Sequence, residues 1–265
     1  MQNFSSDSAS SKHYQLRLKK SRSSELVDGM RQGALVGAAI LALVLPPLRS
    51  DPGKGLSQAA TLQLQQVPRY ADFAGESASA DALYVANWVV DAGDNRQLFF
   101  VVIDKKNAKV FVFSPSGKLL GATPVLIGAA KGDDSVVGIG GRPISEVLPH
   151  ERTTPAGRFV GEPGRNSSNE DVVWVDYDAA VSMHRVRTLE PKERRLERLA
   201  SPNTEDHRIS YGCINVPVKF FENVVKMAFD GHYGVVYVLP EVKTVGEVFT
   251  SAYDVAKKYV AISPG

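Results

Sequence analysis

Hydrophobic and polar positions divide the 265-residue chain into three stretches of different character. The first ends in an apolar run without a charge, GALVGAAILALVLPPL at 33–48, which follows a polar and basic tail at 1–32. The run is shorter than the ~20 residues of a full membrane span, but it lacks the polar face of a core helix. A positive flank before an apolar run favours a cytoplasmic N-terminus and export of the residues that follow.

We therefore interpret residues 33–48 as a membrane anchor or signal segment that places the rest of the chain in the cell envelope. No A-x-A-like cleavage site follows promptly, and Pro46 and Pro47 merely end the helix, which favours an uncleaved anchor. Cleavage stays open, and a buried core helix is the alternative to both interpretations.

The second stretch, residues 49–96, is rich in Ser, Ala, Gln and Gly and is predicted to be a spacer with short helices. Its clearest helical pattern lies at 78–92, where Val85, Trp88 and Val89 recur at helical spacing and a glycine follows as a stop.

From residue 98 onward, the apolar positions recur in short runs rich in Val and Phe, which is typical of strands. One apolar pattern at 220–229 has helical spacing, and a loosely helical one lies within 242–265. Many short strands with few helices predict a mainly β domain over residues 97–241, followed by a helical extension. The predicted strands lie at 98–104, 108–113, 119–128, 153–161, 171–178, 180–186 and 233–240.

Composition excludes several classes of function. With 43% hydrophobic and 23% charged residues the chain is an ordinary globular protein, and its net charge of +2 is too small to indicate a nucleic-acid partner. One cysteine cannot form an internal disulfide, and no Cys/His spacing resembles a zinc site, so we predict neither metal nor cofactor. The Gly-rich loop GIGGRP at 138–143 lacks the G-K-[ST] ending of a phosphate-binding loop.

The single cysteine, Cys213, follows a glycine in the sequence SYGCIN at 210–215. A free cysteine is either a small buried apolar residue or a nucleophile, and a nucleophile needs a base because few thiols are ionised at pH 7. Gly212 lets the backbone pass close to a substrate. The amides of Tyr211, Gly212 and Cys213 could then converge on a carbonyl oxygen as an oxyanion hole.

Two of the five histidines are placed to serve as that base. His184 lies in a predicted strand, where alternation puts Val181 and Met183 on one face and His184 on the other. A histidine on a strand is rigidly aimed, as a general base must be. His207 is closer to the cysteine in sequence but lies in a polar loop. Position favours His184, and His207 stays open as the alternative.

Three motifs, in this order, resemble the L,D-transpeptidase catalytic domain of bacterial cell-wall synthesis: TPAGRF at 154–159, SMHRV at 182–186 and ISYGCINVP at 209–217. The family pattern is a Thr-Pro-x-Gly-x-Phe strand, an isolated histidine, and then [Ser/Thr]-His-Gly-Cys-[Ile/Val]-[Arg/Asn]. The resemblance covers roughly residues 97–241 and implies a β-rich, L,D-transpeptidase-like catalytic domain.

By this resemblance Cys213 is the nucleophile and His184 the base, and the backbone carbonyl of Arg185 orients the imidazole. Tyr211 and Gly212 then supply backbone amides to the oxyanion. The motif positions to which the resemblance gives substrate-binding or structural roles are Ser210, Asn215 and Arg185.

Two substitutions and an insertion depart from the family pattern. The motif histidine is Tyr211 here, and the residue after the base, commonly Gly or Ser, is Arg185. The stretch between His184 and Cys213 is 28 residues long, clearly more than is usual in the family.

The extra residues lie at 188–206, called the insertion below. Pro191 is predicted to open a short helix that carries Leu196 and Leu199 on one side. The insertion is interpreted either as a solvated charged loop or as a lid over the substrate.

The resemblance implies peptidoglycan stem peptides as partners and a periplasmic catalytic domain anchored in the inner membrane. A tetrapeptide stem acylates the cysteine, the acyl group passes to an amine acceptor, and carbapenems acylate the same thiol. Two alternatives stay open: an L,D-carboxypeptidase that uses the same pair, and a non-catalytic module that binds the cell wall. The presence of both His184 and Cys213 favours an enzyme, since binding alone needs neither.

Overall fold

The computed structural model describes residues 67–260. The predicted tail at 1–32, the apolar segment at 33–48 and the first part of the predicted spacer lie outside these residues. Within residues 67–260, no helix is both long enough and apolar enough to cross a membrane.

Strands dominate the described part of the chain. They are β1 Phe100–Asp104, β2 Lys109–Phe113, β3 Leu119–Pro124, β4 Ile127–Gly128, β5 Gly157–Arg165, β6 Asp171–Asp176, β7 Val181–Arg185, β8 Arg208–Ser210, β9 Ile214–Val216 and β10 Gly234–Val238. Eight of them form one sheet in the order β3-β2-β1-β10-β5-β6-β7-β9, and β4 pairs with β8 in a second sheet. The mainly β fold with few short helices is confirmed.

The described residues also form six α-helices, of which only the first is longer than six residues. They are α1 Ala80–Ala92, α2 Arg195–Ala200, α3 Val218–Phe220, α4 Lys226–Ala228, α5 Val245–Val248 and α6 Val255–Val260. A π-helical turn, Phe221–Val225, joins α3 to α4, so residues 218–228 form one helical segment where the sequence predicts a helix at 220–229.

Strands β1 and β10, at the centre of the large sheet, are buried on both faces. On one face, Phe100 and Tyr237 pack in a cluster with α1. On the other face, Val101 and Val236 pack in a cluster with the helical segment 218–228. Because both faces are covered, these strands are continuous apolar runs rather than alternating ones.

Helix α1 ends where the sequence predicts and begins two residues later, at Ala80. The Ser79 side chain accepts a hydrogen bond from the Ala82 amide at 3.1 Å, and Gly93 ends the helix in the left-handed conformation at φ 68°. Its Val85 and Val89 side chains are fully buried in the core. This part of the predicted spacer therefore packs on the sheet.

Most predicted strands differ from the observed ones by one or two residues at an end, and two differ by more. The strand predicted at 119–128 is divided: β3 belongs to the large sheet, and β4 leaves it to pair with β8. The strand predicted at 153–161 begins only at Gly157, because Pro155 has no N–H to donate to a ladder. Thr153 and Thr154 precede that strand as buried connecting residues, and they lie next to the cysteine loop.

Candidate active site

Cys213 lies directly before β9, beside strand β7. The two strands are parallel, with Met183 opposite Ile214 and His184 opposite Asn215. Met183 and Ile214 are fully buried in the core, so alternation places His184 and Asn215 on the other face of the sheet. The strand pairing thus brings the predicted base and the predicted nucleophile to the same face, although they are far apart in sequence.

The Cys213 thiol is half-buried and has polar neighbours on β7 and the turn before it. Its Sγ lies 3.8 Å from the Ser182 hydroxyl and 3.7 Å from the Ala180 carbonyl oxygen. Burial raises the pKa of the thiol, but hydrogen bonding and Coulombic attraction from His184, together with hydrogen bonds from Ser182, outweigh burial. The net effect holds the Cys213 pKa below its ordinary value, as expected of a reactive thiol.

The His184 ring is fixed by its own strand. Its Nδ1 lies 2.7 Å from the backbone carbonyl oxygen of Arg185. A carbonyl oxygen can only accept, so Nδ1 carries the proton and donates, which leaves Nε2 outside this hydrogen bond. The contact is the one predicted from the family resemblance, and the catalytic role of His184 stays a prediction.

The Arg185 side chain contacts other residues than the imidazole. Its guanidinium bonds to Glu222 and to the backbone carbonyl of Asp171, and it lies 4.4 Å from the centre of the Phe221 ring. The side chain therefore ties β7 to the helical segment 218–228, and only the backbone of Arg185 meets the imidazole.

His207 is buried and is engaged elsewhere. Its Nδ1 lies 2.9 Å from the Val125 carbonyl oxygen, and its Nε2 lies 3.1 Å from that of Ser201. Both ring nitrogens therefore face backbone carbonyls, and the ring joins the end of the insertion to the segment before β4. This arrangement favours His184 over His207 as the base.

The loop before Cys213 requires its glycine. Gly212 has φ 128°, and a Cβ at this position would lie 2.7 Å from the Thr153 carbonyl oxygen. The Gly212 amide donates to the Ser210 hydroxyl at 3.1 Å, and that hydroxyl donates to the Cys213 carbonyl oxygen at 2.6 Å. Ser210 is therefore a structural brace within the loop.

This brace bears on the predicted oxyanion donors. Since the Gly212 amide already donates to the Ser210 hydroxyl, it is committed inside the loop. The Tyr211 side chain is partly exposed, and the Arg152 guanidinium lies 4.1 Å from the centre of its ring. That stacking orients the tyrosine ring, and the oxyanion role of the Tyr211 and Gly212 amides stays a prediction.

Asn215 links the cysteine loop to the insertion. Its side chain is fully buried; Nδ2 donates to the Cys213 carbonyl oxygen at 3.2 Å, and Oδ1 accepts from Arg195 Nη1 at 2.6 Å. Arginine can only donate, so Arg195 decides which end of the amide faces the cysteine. Through this contact, the insertion packs against the residues that hold the cysteine loop.

The insertion is anchored by one apolar side chain. A 3₁₀ turn begins at Pro191, and α2 follows it. Leu199 is 9% exposed and packs with Leu126 and Val186, whereas Leu196 is 59% exposed. Only one of the two leucines predicted to share a side is therefore buried.

A cleft of about 230 Å³ lies on the His184 side of the site. Thr188 and Leu189 of the insertion line it together with Glu170, Arg187 and His184. Its position beside the base makes it a candidate place for a second reactant. Among residues 67–260, no cluster of three or more His, Cys, Asp or Glu side chains is arranged to hold a metal ion.

Sequence reasoning did not assign roles to two residues that hold the site together. Thr154 was visible inside the TPAGRF motif, and its hydroxyl bonds to the Gly212 carbonyl oxygen at 2.8 Å. No sequence pattern distinguishes Arg195, because it is one of several arginines in a charged run and its partner Asn215 is 20 residues away.

Comparisons with known proteins give structural similarities only. No family model matches the chain, and no curated protein sequence does. Among solved structures, the chain is similar to the L,D-transpeptidase LdtMt1 in complex with imipenem, at 16% identity and a TM-score of 0.31 over 53% of this chain and 58% of that one. A cysteine-to-serine variant of an Enterococcus faecium L,D-transpeptidase gives the same identity and TM-score over 53% of this chain and 49% of that one.

A third similar structure is a fused Zn-dependent amidase/peptidase/peptidoglycan-binding domain-containing protein from Clostridium acetobutylicum. It has 15% identity and a TM-score of 0.30 over 54% of this chain and 52% of that one. The chain thus spans about half the length of the solved structures that it matches.

Proposed function

We propose that this protein is a cysteine-dependent peptidoglycan L,D-transpeptidase, with Cys213 as nucleophile and His184 as base. One observation carries the proposal: the only thiol of the chain has a lowered pKa, and a histidine fixed on the neighbouring strand lowers it. The order of the three sequence motifs supports the choice of reaction. The predicted location in the cell envelope is part of the same proposal.

In the first step, the Cys213 thiolate attacks the carbonyl carbon that precedes the terminal D-residue of a tetrapeptide stem. A C–S bond forms, and the carbonyl oxygen becomes an oxyanion held by backbone amides. When the intermediate collapses, the C–N bond breaks and His184 Nε2 gives its proton to the departing amine. The product is a thioester on Cys213.

In the second step, an amine acceptor enters from the side of His184. The imidazole accepts a proton from this amine while the amine attacks the thioester carbonyl, and the C–S bond then breaks to regenerate the thiolate. The cleft beside His184 supports this direction of approach. If water replaced the amine, the same pair would act as an L,D-carboxypeptidase.

The test is incubation of the full chain, solubilised in detergent, with disaccharide tetrapeptide, followed by mass spectrometry of the products. We expect cross-linked dimers that have lost one terminal D-residue, and none with Cys213→Ala. Tripeptide without dimers would indicate the carboxypeptidase, and unchanged substrate would indicate the non-catalytic wall-binding module.

Carbapenem acylation gives an independent measurement. We expect the intact mass of the protein to increase by the mass of the drug, and Cys213→Ala to show no increase. Absence of an adduct after prolonged incubation of the unmodified chain would contradict the proposal.

A further inference from the structure

The peptide bond between Gly212 and Cys213 is held by a side chain from outside the cysteine motif. Thr154 Oγ1 donates to the Gly212 carbonyl oxygen at 2.8 Å. A trans peptide is planar, so the N–H of Cys213 points in the direction opposite to the Gly212 carbonyl. By fixing that carbonyl, the Thr154 hydroxyl also fixes the direction of the Cys213 amide.

Thr154 is itself rigidly placed. It is 1% exposed, and its Oγ1 accepts a hydrogen bond from the Gly128 amide at 2.9 Å, which leaves the hydroxyl proton for Gly212. The Thr154 carbonyl oxygen accepts from Lys105 Nζ at 2.8 Å, and this fully buried lysine is paired with Asp133 at 2.9 Å. Buried and fully bonded groups of this kind hold one geometry.

The neighbouring amide is not held in the same way. The Gly212 N–H donates to the Ser210 hydroxyl, so its hydrogen bond is used inside the loop. The Cys213 amide belongs to the nucleophilic residue itself. In the same peptide bond, the Gly212 carbonyl oxygen faces Thr154, so the Cys213 N–H points the other way. Of these two amides, that of Gly212 is bonded to the Ser210 hydroxyl, and that of Cys213 points away from Thr154.

We propose that Thr154 is a positioning residue that aims the Cys213 amide at the oxyanion formed when Cys213 is acylated. This inference rests on the proposed function only in taking Cys213 as a nucleophile toward acyl groups. It does not require a peptidoglycan substrate. Of the three amides predicted to converge on the oxyanion, that of Cys213 would then act without that of Gly212.

The test compares two reactions of the same thiol. In the first, p-nitrophenyl acetate acylates Cys213: the thiolate attacks the ester carbonyl, an oxyanion forms, and the C–O bond breaks to release p-nitrophenolate. In the second, iodoacetamide alkylates Cys213 by displacement of iodide, and no oxyanion forms. Both rates depend on the pKa of the thiol and on access to it, but only the acylation rate depends on stabilisation of an oxyanion. The ratio of the two rates therefore measures oxyanion stabilisation.

The variants are Thr154→Val, which keeps shape and removes the hydroxyl, and Thr154→Ser, which restores the hydroxyl. Thr153→Val is the matched control, because the adjacent Thr153 hydroxyl donates to the Asp134 carbonyl oxygen and not to the cysteine loop. Thr154→Ala removes the hydroxyl without added bulk and is the substitute if the valine variant does not fold. Cys213→Ala defines the background of both reactions.

We expect Thr154→Val to lower the rate of acylation by about 10- to 100-fold, somewhat less than the outright loss of an oxyanion donor. Its rate of alkylation should stay within about twofold of the unmodified chain, because the thiolate is untouched. Thr154→Ser should recover most of the acylation rate, and Thr153→Val should change neither rate.

Three results would overturn the proposal. One is an equal loss of both rates in Thr154→Val, which would indicate general loosening of the site. Another is an acylation rate that Thr154→Val leaves unchanged or that Thr154→Ser does not recover. The third is the absence of a Cys213-dependent burst of p-nitrophenolate from the unmodified chain. A failure of the muropeptide assay alone would contradict the proposed function and leave this inference intact.

Discussion

His184 and His207 differ in how many of their ring nitrogens contact the backbone. His184 is half-buried on β7, and its Nδ1 donates to the Arg185 carbonyl oxygen, which leaves Nε2 outside that hydrogen bond. His207 is 4% exposed and has a backbone carbonyl at each ring nitrogen. A general base must take up a proton and release it, so it needs one ring nitrogen that the scaffold does not use.

The difference shows that closeness in sequence is a poor guide to closeness in the fold. His207 is six positions from Cys213, yet its ring serves the packing of the insertion. His184 is far from Cys213 in sequence, and the parallel pairing of β7 with β9 brings it alongside. A strand gives a side chain both a fixed direction and a fixed neighbour, which a polar turn does not.

The largest expected effect comes from His184→Ala. Loss of the base should lower acyl transfer by about 10²–10⁴-fold. The pKa of Cys213 should rise, because burial, which raises it, stays while the attraction from His184 is lost. The pH profile of iodoacetamide alkylation should therefore move to higher pH, with slower reaction near neutrality.

The control for this profile is His232→Ala, since His232 is exposed on the turn before β10. We expect that variant to coincide with the unmodified chain. A His184→Ala profile that stays in place, together with a His207→Ala profile that moves upward, would show that the wrong histidine has been assigned.

The next effect concerns the apolar anchor of the insertion. Leu199→Ala removes a buried side chain that packs with Leu126 and Val186, so we expect a loss of about 2–3 kcal/mol in the free energy of unfolding. Leu196→Ala, on the same helix but 59% exposed, should change it by less than about 0.5 kcal/mol. Urea denaturation of both variants measures the difference. Equal effects would contradict the assignment of Leu199 as the anchor.

His207→Ala should have a smaller effect on stability and none on the thiol. A neutral imidazole has one N–H, so at least one of the buried Val125 and Ser201 carbonyls would lose its donor, at a cost of about 1–2 kcal/mol. Because neither ring nitrogen faces Cys213, the alkylation profile should stay in place. Urea denaturation and alkylation of the same preparation measure both, and an altered profile with unchanged stability would contradict the structural role.

The sequence predicts the orientation of His184 but not the surroundings of His207. Alternation along residues 181–185 places Met183 in the core and His184 on the opposite face, as the structure has it. The burial of His207 could not be predicted, because its neighbours in sequence are polar and its partner Val125 belongs to a distant segment. The same holds for the contact of Arg195 with Asn215, and for the departure of β4 from the large sheet. Each depends on non-local pairing, which leaves no periodic signal in the chain.

The smallest expected effect comes from Tyr211→Phe, at the position where the family motif has a histidine. The phenol hydroxyl has no hydrogen-bond partner among residues 67–260, and the ring keeps its contact with Arg152 when the hydroxyl is removed. We therefore expect no change in the alkylation profile of Cys213. Tyr211→Ala is the matched variant: it loses the cation–π contact, worth about 0.5–1 kcal/mol at an exposed site, and should lower stability by a similar amount. A shift of the pH profile in Tyr211→Phe as large as that in His184→Ala would contradict this expectation. It would show that the tyrosine hydroxyl, as well as His184, lowers the pKa of the thiol.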